Sequence, residues 1–227
     1  MGKKFYQAVR WFGKPFSYQC IGLEKLKTLD GPAILVGNHL AEIGPIASVI
    51  SIPRQLHLWA SANLVDETKI TNHLMDDFVI RTLHLKGQLG KAIAWTIGRI
   101  VLPLMARMEV VPVDRGDIVL SHAFQCSMQY LNQNELLMVF PEDPDLPIDP
   151  VSGLKPFMSG YLWLCKMIKD QRGIELPIIP VVIIKHKRRV IIGEPCYYQD
   201  SGNSKHDMLM LTRKLETIIK KMLLTNA

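Results

Sequence analysis

Gly31-Pro-Ala-Ile-Leu-Val-Gly-Asn-His39 is the stretch whose reading decides the fold. Its centre, residues 33–36, is continuously apolar, and a short apolar run closed by glycine and proline reads as a buried strand. The strand delivers Asn38 and His39 at its C-terminal end, where the next helix begins. In an open α/β sheet that edge is where ligands bind. An imidazole there titrates near neutrality, so it can take a proton from a hydroxyl or an amine. A histidine that merely caps or hydrogen-bonds at a strand–helix corner would look the same, so the rest of the chain must decide.

Working outward, strand signals recur at 17–21, 32–37, 55–60, 109–113, 135–140, 177–184 and 188–193. Helical stretches lie between them at 40–51, 66–84, 89–106, 116–132, 156–169 and 204–224, the last opened by Ser204 as N-cap with Asp207 three residues on. Strands alternating with helices predict an α/β fold, a single domain with a largely parallel central sheet flanked by helices. No repeat, low-complexity tract or linker divides the chain. The 227 residues are enough for one sizeable core. Residues 1–16 are set apart as a basic, aromatic N-terminal helix, and 17–227 form the α/β domain.

Charge is gathered at the two ends. Residues 1–27 carry six cations against Glu24, residues 185–227 carry nine against four acids, and the middle is net negative, within an overall +6. Basic ends suit an anionic surface. Nucleic acid is not expected as a partner, because no binding motif or aromatic–basic RNA signature accompanies the charge. The oily composition, 48% hydrophobic, points instead to a lipid surface. Phe5, Val9 and Phe12 fall at helical spacing with Lys4 and Arg10 elsewhere, which fits either an interfacial helix or an ordinary amphipathic helix packed on the domain.

No apolar run reaches the roughly 18 residues a spanning helix needs; the nearest, 92–108, is broken by Gly98, Arg99, Pro103 and Arg107. Residues 89–106 are apolar around most of the circumference and read as a core helix. The alternatives are a helix that dips into a bilayer or one that lines an acyl-chain tunnel. Cys20, Cys126, Cys165 and Cys196 lie far apart, without metal-ligand spacing, and read as mostly buried, reduced residues. With no secretory signal read at the N-terminus, the expected location is cytoplasmic, peripheral on the membrane.

Four further features lie along the chain: Val111-Pro-Val-Asp-Arg115, Leu137-Met-Val-Phe-Pro-Glu142, Gly153-Leu-Lys-Pro-Phe157 with Gly160, and Leu176-Pro-Ile-Ile-Pro-Val-Val182. Together with the Asn38-His39 segment and Gly193-Glu-Pro195, their order resembles the lysophospholipid (1-acylglycerol-3-phosphate) acyltransferase family over about residues 18–198. The resemblance implies an acyltransferase in which His39 is the general base, moving a fatty acyl chain from a thioester to a lysolipid-like hydroxyl or amine. The thioester, acyl-CoA or acyl carrier protein, is a co-substrate, and no tightly bound cofactor or metal is implied. It also implies a substrate site containing Asn38, Arg115, Phe140, Pro141, Glu142, Gly153 and Lys155.

Two departures qualify this. The family places an orienting aspartate five residues after the histidine, where this chain has Gly44. Glu42 is the nearby carboxylate, and if a helix started near His39 the i, i+3 spacing would put the two on one face. The family's Gly-Thr-Arg after Phe-Pro-Glu is replaced by Asp143-Pro-Asp145, opening a loop of four acids and four prolines over 141–150. Such a loop suits a cationic or polyhydroxylated headgroup better than a phosphomonoester, and Asp143, Asp145 and Asp149 also offer oxygen ligands for a metal. Three functional readings therefore stand: an acyltransferase with Glu42 substituting, a lipid-binding member that has lost the chemistry, and a thioester hydrolase.

Overall fold

A computed structural model describes residues 2–29, 31–114 and 121–226. In chain order the elements are α1 (Gly2–Gly13), β1 (Gln19–Ile21), α2 (Glu24–Lys27), β2 (Ala33–Gly37), α3 (Ile43–Ser51), β3 (Leu56–Ser61), α4 (Ile70–Leu74), α5 (Gly87–Arg107), β4 (Val111–Val113), α6 (Ser121–Asn132), β5 (Leu136–Val139), α7 (Trp163–Arg172), β6 (Ile178–Ile184), β7 (Arg189–Ile192) and α8 (Ser204–Asn226). All seven expected strands are present, within two residues of their expected bounds. The α/β class with a largely parallel sheet is the fold observed. The chain forms two compact units, Ala8–Leu56 with Ser127–Ala227 and Met1–Gln7 with His57–Cys126.

The larger unit holds five strands in the order β1-β7-β6-β2-β5. β2 lies parallel to β5 and β6 on its two sides, and β1 is parallel to β7; only the β6–β7 pair is antiparallel. Every residue of β2, β5 and β6 is buried, as expected of strands covered on both faces. Because β2 and β5 are in register from Ala33↔Leu136 to Val36↔Val139, His39 and Glu142 emerge side by side from the same sheet edge. Residues 156–158, expected to begin a helix, instead run back along 141–143: Asp143 N donates to Pro156 O at 2.8 Å and Met158 N to Pro141 O at 2.9 Å. Phe157 bridges Glu142 in antiparallel fashion, so the backbone groups of this segment are satisfied across the strand, and the helix begins only at Trp163.

The smaller unit pairs β3 with β4 in parallel and carries a helical hairpin between them. The stretch expected as one helix over 66–84 is α4 continued by a wider π-type turn, Met75–Ile80. Ile70, Leu74, Val79 and Ala94 form the hairpin core. The reading of 89–106 as a core helix is corrected: α5 is long and apolar enough to span a bilayer by length and composition, yet only 17% of that apolar window is buried. Burial on α5 is confined to the small residues Gly90, Ala94 and Gly98, one stripe at i, i+4, i+8.

On α1 the buried side chain is Tyr6, Phe5 and Val9 are half-buried, and Trp11 and Phe12 are about 70% exposed, so Phe12 does not pack with the other two. All four cysteines are free thiols, two of them buried. Burial pushes the Cys165 thiol up to about 12, which makes it inert at neutral pH.

Candidate active site

The site grows from the end of β2. Asn38 is 3% exposed and its amide is held at both ends, Nδ2 donating to Ile183 O at 3.1 Å and Oδ1 accepting from Ile183 N at 2.8 Å. The side chain thus extends the β2–β6 ladder by one rung just where the main chain leaves the sheet. Asn38, expected in the substrate site, is a scaffold residue that fixes the departure point of His39. His39 itself is exposed, and its ring meets Phe140 edge-to-face at 5.3 Å between centroids. Gly37 leaves room for that ring: a Cβ there would stand 2.6 Å from Met138 Cε and 3.3 Å from Phe140 Cε1.

Beyond His39 the chain does not enter a helix at once. Leu40 and Ala41 are both left-handed, with φ of 47° and 52°, and α3 begins only at Ile43. The i, i+3 argument that put Glu42 on the face of His39 therefore does not hold, because residues 40 and 41 are not helical. Glu42 stands at the N-cap of α3, half-buried, and its side chain makes no capping hydrogen bond. The tight turn brings Gly44 N within 3.1 Å of His39 O. A Cβ on Gly44 would lie 2.0 Å from that carbonyl oxygen and 2.9 Å from Asn38 O. With this backbone no side chain fits at 44, so glycine there is a steric requirement of the turn.

The carboxylate brought to this corner is that of Glu142. Its Oε1 accepts from His39 N at 2.6 Å and its Oε2 from Lys155 N at 3.0 Å. One side chain thereby ties the loop after β2 to the return segment after β5, and charge-assisted bonds to two backbone amides are the strong kind. Expected to face the acceptor, Glu142 instead has both oxygens directed to main chain. Pro141 is buried beside it, its carbonyl taking the Met158 N–H, and Phe157 N donates to Glu216 on α8.

The acidic loop is built from within. Asp143 Oδ1 accepts from Asp145 N at 3.0 Å and Asp149 Oδ1 from Val151 N at 2.9 Å, two Asx turns that suit the proline-rich path. Lys155 Nζ donates to Pro144 O, and Lys220 of α8 pairs with Asp149 at 2.9 Å. The Lys220 ammonium, aided by the amides of Val151 and Ser152, holds the Asp149 carboxyl down at about 2. Gly153, left-handed at φ 69° with open space where a Cβ would go, closes the Asp149–Leu154 turn. Among the described residues no group of three or more His, Cys, Asp or Glu is placed to hold a metal ion. Arg115 lies outside the described residues.

The structure thus brings His39, Phe140, Glu142 and Lys155 to one sheet edge, and places Asn38 beneath it. Apolar side chains are exposed just after His39: Leu40 is 38% and Ile46 of α3 57% exposed. Sequence reasoning missed the left-handed pair Leu40–Ala41 and the Lys220–Asp149 bridge. No local signal marks either, since neither position in the pair is glycine or asparagine and the bridge joins residues far apart in the chain.

No protein-family model matches the sequence, and no curated protein matches it. Among solved structures the chain is similar to the 1-acyl-sn-glycerophosphate (LPA) acyltransferase PlsC from Thermotoga maritima. The TM-score is 0.57 at 15% identity, covering 99% of this chain and 81% of that chain. At that identity the likeness is one of fold.

Proposed function

We propose that this chain transfers a fatty acyl group from a thioester, acyl-CoA or acyl carrier protein, to a hydroxyl or amine on a lysolipid-like acceptor. The observation that carries the reading is the exposed His39 imidazole at the C-terminal edge of parallel strands, flanked by Phe140 and exposed Leu40, with its own main chain gripped by Glu142. The likeness in fold to an LPA acyltransferase supports it. In this scheme the imidazole takes the acceptor proton as the acceptor's oxygen or nitrogen attacks the thioester carbonyl. The carbon–sulfur bond then breaks, and the leaving thiolate recovers the proton from the imidazolium. Glu142 is a positioning residue, Arg115 and Lys155 are the cations assigned to the acceptor side, and Leu40, Phe140 and Ile46 offer apolar surface for the acyl chain. The protein works peripherally on a membrane, on its cytoplasmic side.

A second reading is favoured by one observation. Gly44 leaves no room for the aspartate that orients the histidine in the family this chain resembles, and loss of such a partner lowers rates on the order of 10⁴-fold. That favours a slow enzyme or a lipid binder without chemistry.

The decisive experiment follows acyl-CoA consumption with and without a panel of lysolipids, amines and sugars. Consumption that requires an acceptor and disappears in His39→Ala supports the transferase; consumption without acceptor makes the protein a hydrolase; none leaves the binder. Glu142→Gln should lower kcat with little change in KM, because it loosens His39 without touching substrate.

A further inference from the structure

The outer face of α5 has no explanation within its own unit. Leu89, Trp95 and Ile100 are 64%, 54% and 66% exposed, although the opposite stripe, Gly90, Ala94 and Gly98, is buried against the hairpin. Gly90 lies close to Met75, and Gly98 packs on Ile70 and Leu74. This packing fixes which side of the helix turns outward. A soluble hairpin would carry acids and bases on that side.

Charge separates the two arms of the hairpin. The whole of α5 contains Lys91, Arg99 and Arg107 and not one acid, with Lys86 just before it. The other arm bears Asp66, Glu67, Asp76 and Asp77, with Lys69 paired to Asp66 and Arg81 to Asp77, and is net negative. Arg99 folds over the Trp95 ring at 5.1 Å and reaches back to Glu67 at 3.5 Å, and Thr96 Oγ1 bonds its own helix at Ala92 O. The polar groups on the exposed arc are therefore partly satisfied inside the hairpin, and the apolar side chains stand out between cations.

From this we infer that α5 is an in-plane membrane element, its Leu89–Trp95–Ile100 face lying in the headgroup–acyl boundary of an anionic bilayer. The charges carried by the helix itself are all cations, so even with Arg99 shared with Glu67 the face is complementary to anionic lipid, while a second copy of it would bring like charges together. Nucleic acid could stack on Trp95 but would give the aliphatic Leu89 and Ile100 no partner. Spanning is disfavoured, since Lys91 and Arg99 would enter the hydrocarbon and one stripe of the helix is already packed on protein. At about 1.5 Å per residue the helix offers roughly 30 Å of contact along the surface, with Lys91 and Arg107 able to snorkel to phosphates. The inference does not depend on the reaction at His39.

Flotation with vesicles tests it. The 227-residue chain should float with phosphatidylcholine vesicles containing phosphatidylglycerol, and less with phosphatidylcholine alone or at high salt. Trp95→Glu/Ile100→Glu should lower partitioning by about tenfold or more with an unchanged far-UV spectrum. Lys91→Glu should weaken binding to the anionic vesicles by roughly fivefold or more and leave the neutral ones little changed. Leu89→Gln on the same face repeats the measurement should the double variant not fold. The inference is overturned if wild type does not float with anionic vesicles, or if the face variants float as well as wild type. It is equally overturned if size exclusion reveals a wild-type dimer that these variants dissolve without any vesicle binding.

Discussion

Gly44 shows how one missing side chain can be read in two ways. From the sequence it is an absent catalytic partner; in the structure it is the only residue that lets the chain turn back onto the His39 carbonyl. Restoring aspartate should therefore not restore activity. Both Gly44→Asp and Gly44→Ala force the backbone apart, a cost of about 3 kcal/mol. Thermal melts should show a fall in Tm of roughly 5–10 °C for either variant. A Gly44→Asp protein that is both stable and faster in acyl transfer would sink this account. Glu142 makes the complementary point, since a carboxylate named in advance as a ligand group turns out to hold two backbone amides.

At the level of elements, the turn between β2 and α3 and the turn before the return segment make a matched pair. Ala41 sits at φ 52° where glycine would be at ease, and Gly153 sits at φ 69° with nothing around a would-be Cβ. Ala41→Gly should raise stability by about 0.5–1 kcal/mol and Gly153→Ala should lower it by about 1 kcal/mol, opposite signs from one backbone preference. Chemical denaturation of both variants checks the pair, and equal signs would refute the strain argument. The same two turns mark the limit of what was legible in the sequence. The strands were legible because residues 33–36, 136–139 and 178–184 are apolar without interruption, a pattern set by burial on both faces. The edge that carries His39 was legible for the same reason, as was Phe140-Pro-Glu142 beside it. The turn conformation was not, because two left-handed non-glycine residues are imposed by packing around them and leave no compositional mark. Nor was the exposure of α5, since a run of apolar residues looks alike whether protein or solvent covers it.

Across the whole molecule, pairs distant in sequence decide how the site is held. The Lys220–Asp149 bridge attaches the acidic loop to α8, and the Asp149 carboxyl is held near 2, below its ordinary 3.8. A depressed carboxyl adds stability above its unfolded value, and that contribution fades as pH falls through 3.8 toward 2. Lys220→Gln should accordingly melt below wild type at neutral pH, with the gap closing as pH drops through that window. A gap that persisted at about pH 2 would mean the bridge is not its source. Glu142 acts over a comparable span, joining residues 39 and 155 to the end of β5. Its hold on residue 39 is through the amide, which every amino acid except proline possesses. The main-chain mount is therefore independent of what it displays: serine, cysteine or lysine at 39 would forgo the ring contact with Phe140 yet keep the same amide anchor, making this sheet edge a socket into which a different reactive group can be exchanged without rebuilding the frame around it.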